Sequence, residues 1–138
     1  MLRKEFIKYK NKILVLILRN GDFPKDLNFH TKDEDFIQLA TWRYQKGKRT
    51  APHSHKIAQR LANRTQEVLF IKKGKIKAEI FTDQGKFLKK KFLNTGDIVI
   101  FLGGGHAFEI LKDKTQVLEV KNGPYLGLEK DKRVIKQK

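Results

Sequence analysis

Short apolar runs alternate along this chain with turn-forming clusters at intervals of about ten residues. The runs are rich in Ile, Val, Phe and Leu, and the clusters include "NGDFP" (20–24), "TDQGK" (82–86) and "NTGD" (94–97). Short strands at regular spacing, separated by turn signals, are typical of all-β sandwiches and barrels. Because no internal repeat or linker divides the sequence, the pattern predicts a single all-β domain over residues 1–138.

Individual runs indicate how their strands are buried. In "KIKAEIFT" (75–82) apolar and charged residues alternate, which predicts a half-buried antiparallel strand. "DIVIFL" (97–102) is continuously apolar and predicts a central strand, and "TQVLEVK" (115–121) predicts a strand with Leu118 and Val120 buried.

Three other segments carry weaker signals. The apolar run "ILVLIL" (13–18) is too short for a signal-peptide core or a membrane span, so we expect an untargeted cytoplasmic protein without membrane contact. The segment 55–64 is expected to be a strand end and a loop, and residues 133–138 are expected to fray.

The chain has no cysteine, which excludes disulfides and thiolate zinc sites.

The charge balance is strongly basic. The formal net charge is +16, with 24 lysines and 7 arginines. Such a charge attracts nucleic acid, acidic lipid or phosphorylated small molecules. Because the lysines are dispersed and arginine, the better bidentate ligand for phosphate and guanine, is scarce, we favour a solvated lysine-rich surface over a nucleic-acid site.

The candidate chemistry lies in three histidines and one glutamate. His53 and His55, one residue apart in "RTAPHSHK" (49–56), leave the same face if the segment is a strand. Alternation places His106 on one face with Phe108, and places Glu67 on one face with Leu69.

A buried imidazole or carboxylate needs a hydrogen-bond partner, a counter-charge or a metal ion. Three imidazoles and one carboxylate that converge would suit Zn²⁺, Fe²⁺, Mn²⁺ or Ni²⁺. The alternatives are histidines that only form hydrogen bonds, or an incidental surface pair at His53 and His55.

These residues also carry a resemblance to a known family. "GKRTAPHSH … EVLFIKKG" resembles the first motif of the cupins, and "GDIVIFLGGGH" resembles the second. The resemblance spans roughly residues 36–121 and is closest to small single-domain bacterial cupins of the RmlC-like type. Eleven residues separate His55 from Glu67, where the cupin pattern has three or four. Gln59 lies at the usual spacing and is the alternative to Glu67.

The resemblance implies an antiparallel double-stranded β-helix of jelly-roll type with one divalent metal ion. Its ligands would be His53, His55, Glu67 and His106. We expect Trp42, Tyr44 and Phe108 in the core; the alternative is that they line a pocket beside the ion together with Leu69.

The implied ligand is a small polar molecule, with an anionic group as one alternative and a sugar or nucleotide-sugar compound as another. The sequence leaves open whether the protein is an isomerase, hydrolase or dioxygenase, a sensor without turnover, or a scaffold whose lysines bind nucleic acid or acidic polymer. Because related barrels often pair their edge strands, we also expect a homodimer, in which "KILVLILR" (12–19) could supply the edge.

Overall fold

The computed structural model describes residues 1–136, which form an all-β structure of antiparallel strands. The ten strands are β1 (Lys4–Tyr9), β2 (Lys12–Leu18), β3 (Asp26–Phe29), β4 (Ala40–Arg43), β5 (Glu67–Lys73), β6 (Lys75–Phe81), β7 (Phe87–Asn94), β8 (Ile98–Phe101), β9 (Gly105–Ile110) and β10 (Gln116–Lys121). One short helix, α1, follows at Leu128–Asp131. Within residues 1–136, no helix is long and apolar enough to cross a membrane.

The strands are divided among three hydrogen-bonded sheets. The largest has the order β1-β2-β8-β5-β10, a second has the order β7-β6-β9, and β3 pairs only with β4 among the described residues. From β5 onwards the chain crosses between the two large sheets four times, because β5, β8 and β10 lie in the first and β6, β7 and β9 in the second. The prediction of an antiparallel all-β chain is confirmed. Closure into a barrel is not seen among the hydrogen bonds of residues 1–136.

The main core lies between the two large sheets, and a second core lies on the outer face of the five-stranded sheet. The main core contains Ile71, Ile80 and Leu93, all almost completely buried. The second contains Leu16, Leu18 and Ile100. Strands β2 and β8 are buried on both faces, which explains why their sequences are continuously apolar rather than alternating.

The first strand of the chain is a feature that the sequence analysis missed. β1 forms a hairpin with β2 through Lys10 and Asn11, whose φ angles of 46° and 63° are both positive. Two central residues with positive φ are characteristic of the tight turn that joins neighbouring antiparallel strands. Because β1 covers one side of β2 and β8 covers the other, the prediction that residues 12–19 supply a free edge is wrong.

Burial differs from the prediction at two edge strands. Leu118 and Val120, expected to be buried, are 58% and 49% exposed. Phe108 and Ile110, expected on a core-facing side, are 40% and 60% exposed. Leu118 and Val120 lie beside Phe70 and Val68 on the outer face of the five-stranded sheet, which is uncovered at this edge. Phe108 lies on the inner side with His106, but this side borders an open cavity instead of packed core.

A network of ion pairs connects the two large sheets. Arg19, which follows β2, lies with Nε 2.8 Å from Glu5 Oε1 and with a terminal nitrogen 2.8 Å from Asp97 Oδ2. Lys91 of β7 reaches Glu5 Oε2 at 2.7 Å. The hydrogen bonds from Arg19 and Lys91 lower the pKa of Glu5 to about 2, since they outweigh its partial burial.

Candidate functional site

The centre of the candidate site is a contact between one carboxylate and one imidazole from opposite sheets. Glu67 is the first residue of β5, and His106 is the second residue of β9. Glu67 Oε1 lies 2.8 Å from His106 Nε2. Although the two atoms are this close, the contact does not meet the angular requirement of a hydrogen bond. Of the four predicted metal ligands, the structure brings these two together.

The local sequence explains why both side chains point inward. β5 alternates, and Glu67 shares its buried face with Leu69 and Ile71, as predicted. On the other sheet, His106 follows the turn at 103–105, in which Gly104 has a φ of +72° and lies too close to the Phe81 carbonyl for a side chain. His106 is the first residue of β9 with a side chain, and this side chain is turned towards Glu67.

The surroundings of the pair are aromatic on one side and cationic on the other. The His106 ring stacks on Phe108 with centroids 4.9 Å apart, and its centroid lies 4.5 Å from that of Phe101. Lys121 of β10 places Nζ 3.7 Å from Glu67 Oε2. His106 Nδ1 is buried and has no hydrogen-bond partner among the described residues, which leaves a polar atom available to a ligand.

These neighbours control the charge of Glu67. Its side chain is only 8% exposed, and burial by itself raises the pKa of a carboxyl group. The contact with His106 and the positive charge of Lys121 outweigh that effect and hold the pKa of Glu67 below its usual value. Glu67 is therefore a carboxylate at neutral pH, and it favours a positive charge on any group placed beside it.

A cavity of about 680 Å³ opens over this pair, between the facing edges of the two large sheets. Its walls include four acidic and four basic side chains, whose formal charges cancel, and also His106. These residues are Glu67, Asp83, Glu119 and Asp131 together with Arg64, Lys121, Lys132 and Arg133. Such a volume lies within the usual range for small-molecule sites, about 300–1,000 Å³.

The charged groups at the mouth are paired with one another. The guanidinium of Arg64 contacts the carboxylate of Asp83 and donates to the Gly104 carbonyl at 3.2 Å. The hydrogen bond from Arg64 keeps the pKa of Asp83 below its usual value. Sequence analysis missed these residues because a surface arginine and a turn aspartate carry no pattern until the chain brings them to the same opening.

The second half of the predicted ligand set lies elsewhere. His53 and His55 belong to residues 44–66, which contain neither strand nor helix, and every residue from 45 to 64 is exposed. Their rings are adjacent, with centroids 5.5 Å apart, so the expectation that they lie together holds although they are not on a strand. Gln59 lies exposed in the same segment. None of the three lines the cavity.

The predicted pocket residues are also divided. Phe108 lines the cavity, whereas Leu69 is buried in the main core. Trp42, which is 64% exposed, and Tyr44 lie together outside the cavity, with ring centroids 5.6 Å apart. Within residues 1–136, no group of three or more His, Cys, Asp or Glu side chains is arranged to hold a metal ion. The four-ligand metal site therefore stays a prediction, and only Glu67 and His106 of its four residues are in contact.

Comparison with known proteins identifies no relative of this chain. No protein-family model, no curated protein and no solved structure matches this chain.

Proposed function

We propose that this chain is a cupin-type β-barrel protein that binds a small polar molecule in the cavity over Glu67 and His106. The observation that carries the proposal is the contact between these two side chains at the base of the cavity. A buried ionised carboxylate is costly and needs compensation. Here the compensating groups surround an opening large enough for a ligand, and this arrangement is characteristic of binding and catalytic sites.

The chemistry of the walls supports a ligand with both polar and apolar faces. Phe101 and Phe108 offer aromatic surface, while His106 Nδ1 and Lys121 Nζ offer polar atoms on the other side. A hydroxylated ring compound that carries a carboxylate or phosphate fits this combination. The net charge of +16 raises the local concentration of such anions before they enter.

The strand arrangement supports the cupin part of the proposal. β5, β8 and β10 lie in one sheet and β6, β7 and β9 in the facing one, so the chain passes back and forth between two antiparallel sheets. Jelly rolls are built from two such facing sheets.

We propose a divalent metal ion for the same site. Glu67 and His106 would hold it from the body of the protein, and His53 and His55 would complete the ligand set. The ionised Glu67 suits a cation and His106 Nδ1 is a nitrogen without a partner among the described residues, although the nitrogen beside Glu67 is Nε2. The positions of His53 and His55 do not fit a shared ion. When bound, such an ion supplies Lewis-acid activation of a carbonyl, hydroxyl or carboxylate oxygen.

The metal part is tested by plasma mass spectrometry on untagged protein. We expect about one metal ion per chain in the wild type and none in Glu67→Gln, in His106→Ala or in the double variant His53→Ala/His55→Ala. His30→Ala is the control, because His30 bonds to Thr41 at 2.7 Å and does not line the cavity. A metal-free wild type after supplementation would contradict the metal part alone.

The ligand part is tested by titration calorimetry with a panel of uronic acids and sugar phosphates, with glucose as the uncharged comparison. We expect saturable binding by members of the panel and a loss of about tenfold or more in His106→Ala, because one charged hydrogen bond contributes about 1.5–3 kcal/mol. Glu34→Gln, a change at an exposed residue outside the cavity, should bind as the wild type does. Equal binding by His106→Ala would contradict the assignment of the site.

A further inference from the structure

The end of the described chain lies across the opening of the cavity. We call residues 127–136 the C-terminal strap; they include α1 and follow β10 after a short connection. Part of the strap forms one wall of the cavity: Asp131, Lys132, Arg133, Val134 and Ile135. The strap therefore forms one wall of the opening through which Glu67 and His106 are reached.

Two polar contacts hold the strap to both sides of the opening. The hydroxyl of Thr65, just before β5, donates to the carboxylate of Asp131. The guanidinium of Arg133 donates to the backbone carbonyl of Asp83, after β6, at 2.6 Å. Since β5 and β6 belong to different sheets, the strap bridges the two sheets across the cavity.

The third anchor is an isoleucine that occupies space left by glycines. If Gly105 carried a Cβ, this atom would lie 2.2 Å from Cδ1 of Ile135. A Cβ on Gly85 would lie 3.1 Å from Cγ2 of the same isoleucine. Gly105 directly precedes His106. An alanine at 105 would displace the end of Ile135 and would otherwise meet Phe81 only at 3.7 Å, an ordinary contact.

These anchors are few and lie near the surface. No residue of α1 is buried, and Val134 is 87% exposed. Segments with few buried apolar contacts open locally at a small fraction of the free energy of global unfolding. By contrast, the strands beneath the cavity contain Ile71 and Ile100, which are fully buried.

We propose that the C-terminal strap is a lid, which opens by releasing Ile135 from Gly105 and thereby controls access to Glu67 and His106. The inference does not depend on which molecule binds, because the test below measures access with a reagent. Diethyl pyrocarbonate acylates unprotonated imidazole nitrogen, and peptide mass spectrometry reports the rate for each histidine of the full-length chain separately.

We expect the modification rate of His106 to rise about tenfold in Ile135→Ala, which removes the apolar anchor, and in Gly105→Ala, which displaces it. Val134→Ala, in the same strap but exposed, should leave the rate unchanged. His53 is exposed in every case and calibrates the reagent. His30, whose Nδ1 is buried, reports global loosening.

Equal His106 rates in all four proteins would overturn the lid, and so would a parallel rise at His30, which would show general unfolding. Hydrogen exchange on the wild type gives an independent answer. The lid requires that the strap amide of Asp131, bonded to Gly127 at 3.0 Å, exchanges at least about a hundredfold faster than those of β8. Equal protection would contradict it.

Discussion

Replacing Glu5 by Gln tests whether the ion-pair network between the two large sheets contributes to stability. The change keeps the size of the side chain and removes its charge. Glu5 contacts Arg19 at 2.8 Å and Lys91 at 2.7 Å, and these contacts lower its pKa to about 2. Arg19 keeps its second partner, Asp97, so no unpaired charge is left buried.

The magnitude follows from linkage between protonation and folding. The gap between the ordinary pKa of 4.5 and the folded value of about 2 corresponds to at most about 3.4 kcal/mol of stability at pH 7. The Glu5 side chain is 21% exposed, so solvent screening reduces this figure. We therefore expect Glu5→Gln to lower the free energy of unfolding by about 1–2 kcal/mol at pH 7.

The sign of the pH dependence is fixed by the direction of the shift. A carboxyl group whose pKa is lowered on folding stabilises the protein above its unfolded pKa, and this contribution disappears as the pH falls through the folded pKa. The difference between wild type and Glu5→Gln should be constant from about pH 6 to pH 8 and should shrink between about pH 5 and pH 2.

Urea unfolding followed by far-ultraviolet circular dichroism at pH 7, 5, 4 and 3 measures this difference. Glu34→Gln is the matched control, because Glu34 is exposed and lies outside the network. An identical loss at pH 3 and pH 7 would refute the electrostatic explanation, and a loss in Glu34→Gln as large as that in Glu5→Gln would refute the role of the network.

Three further predictions concern the core, one turn and the site. Ile71→Ala, at a fully buried position, should cost about 2–5 kcal/mol in urea unfolding, and a loss under about 1 kcal/mol would show that the core adapts. Gly74→Ala should lower the thermal midpoint of unfolding, because Gly74 has a φ of +99° and a Cβ there would lie 2.8 Å from Thr115 Cα. An unchanged midpoint in calorimetry would contradict this close approach. His106→Ala removes a group that lowers the pKa of the buried Glu67, so the loss of stability should be present at pH 7 and should shrink as the pH falls below the ordinary carboxyl pKa of 4.5. Urea midpoints at pH 7 and pH 3 check this, and a loss independent of pH would contradict it.

The pattern of apolar and polar residues determined the strands of the sheets that form the site. β6 and β8 lie where alternation and the continuous apolar run predicted them, and Glu67 is on the buried face of β5 as expected. These features are local, because alternation with a period of two assigns each side chain to one of two faces whatever the strand packs against. Residues 55–64, predicted as a strand end and a loop, contain no strand, so the loop is confirmed and the strand end is wrong.

Tertiary structure decided which faces are covered and which distant residues meet. Leu118 and Val120 have the same pattern as buried residues, yet β10 is an edge strand and its outer face is uncovered. Similarly, the expected fraying of 133–138 does not describe Ile135, which packs at Gly105; residues 137 and 138 lie outside the described part of the chain. Periodicity carries no information on sheet order, because that order depends on how the whole chain closes its core.

The candidate site shows the same difference between what the sequence and the tertiary structure determine. The motifs identified Glu67 and His106, which meet at 2.8 Å although 39 positions separate their numbers in the sequence. They identified His53 and His55 equally well, yet residues 45–64 are exposed and form no strand that would turn these side chains to the cavity. A motif specifies donor types and spacing along the chain. Whether the donors converge is decided by which of their segments are anchored in a sheet, and only Glu67 and His106 are.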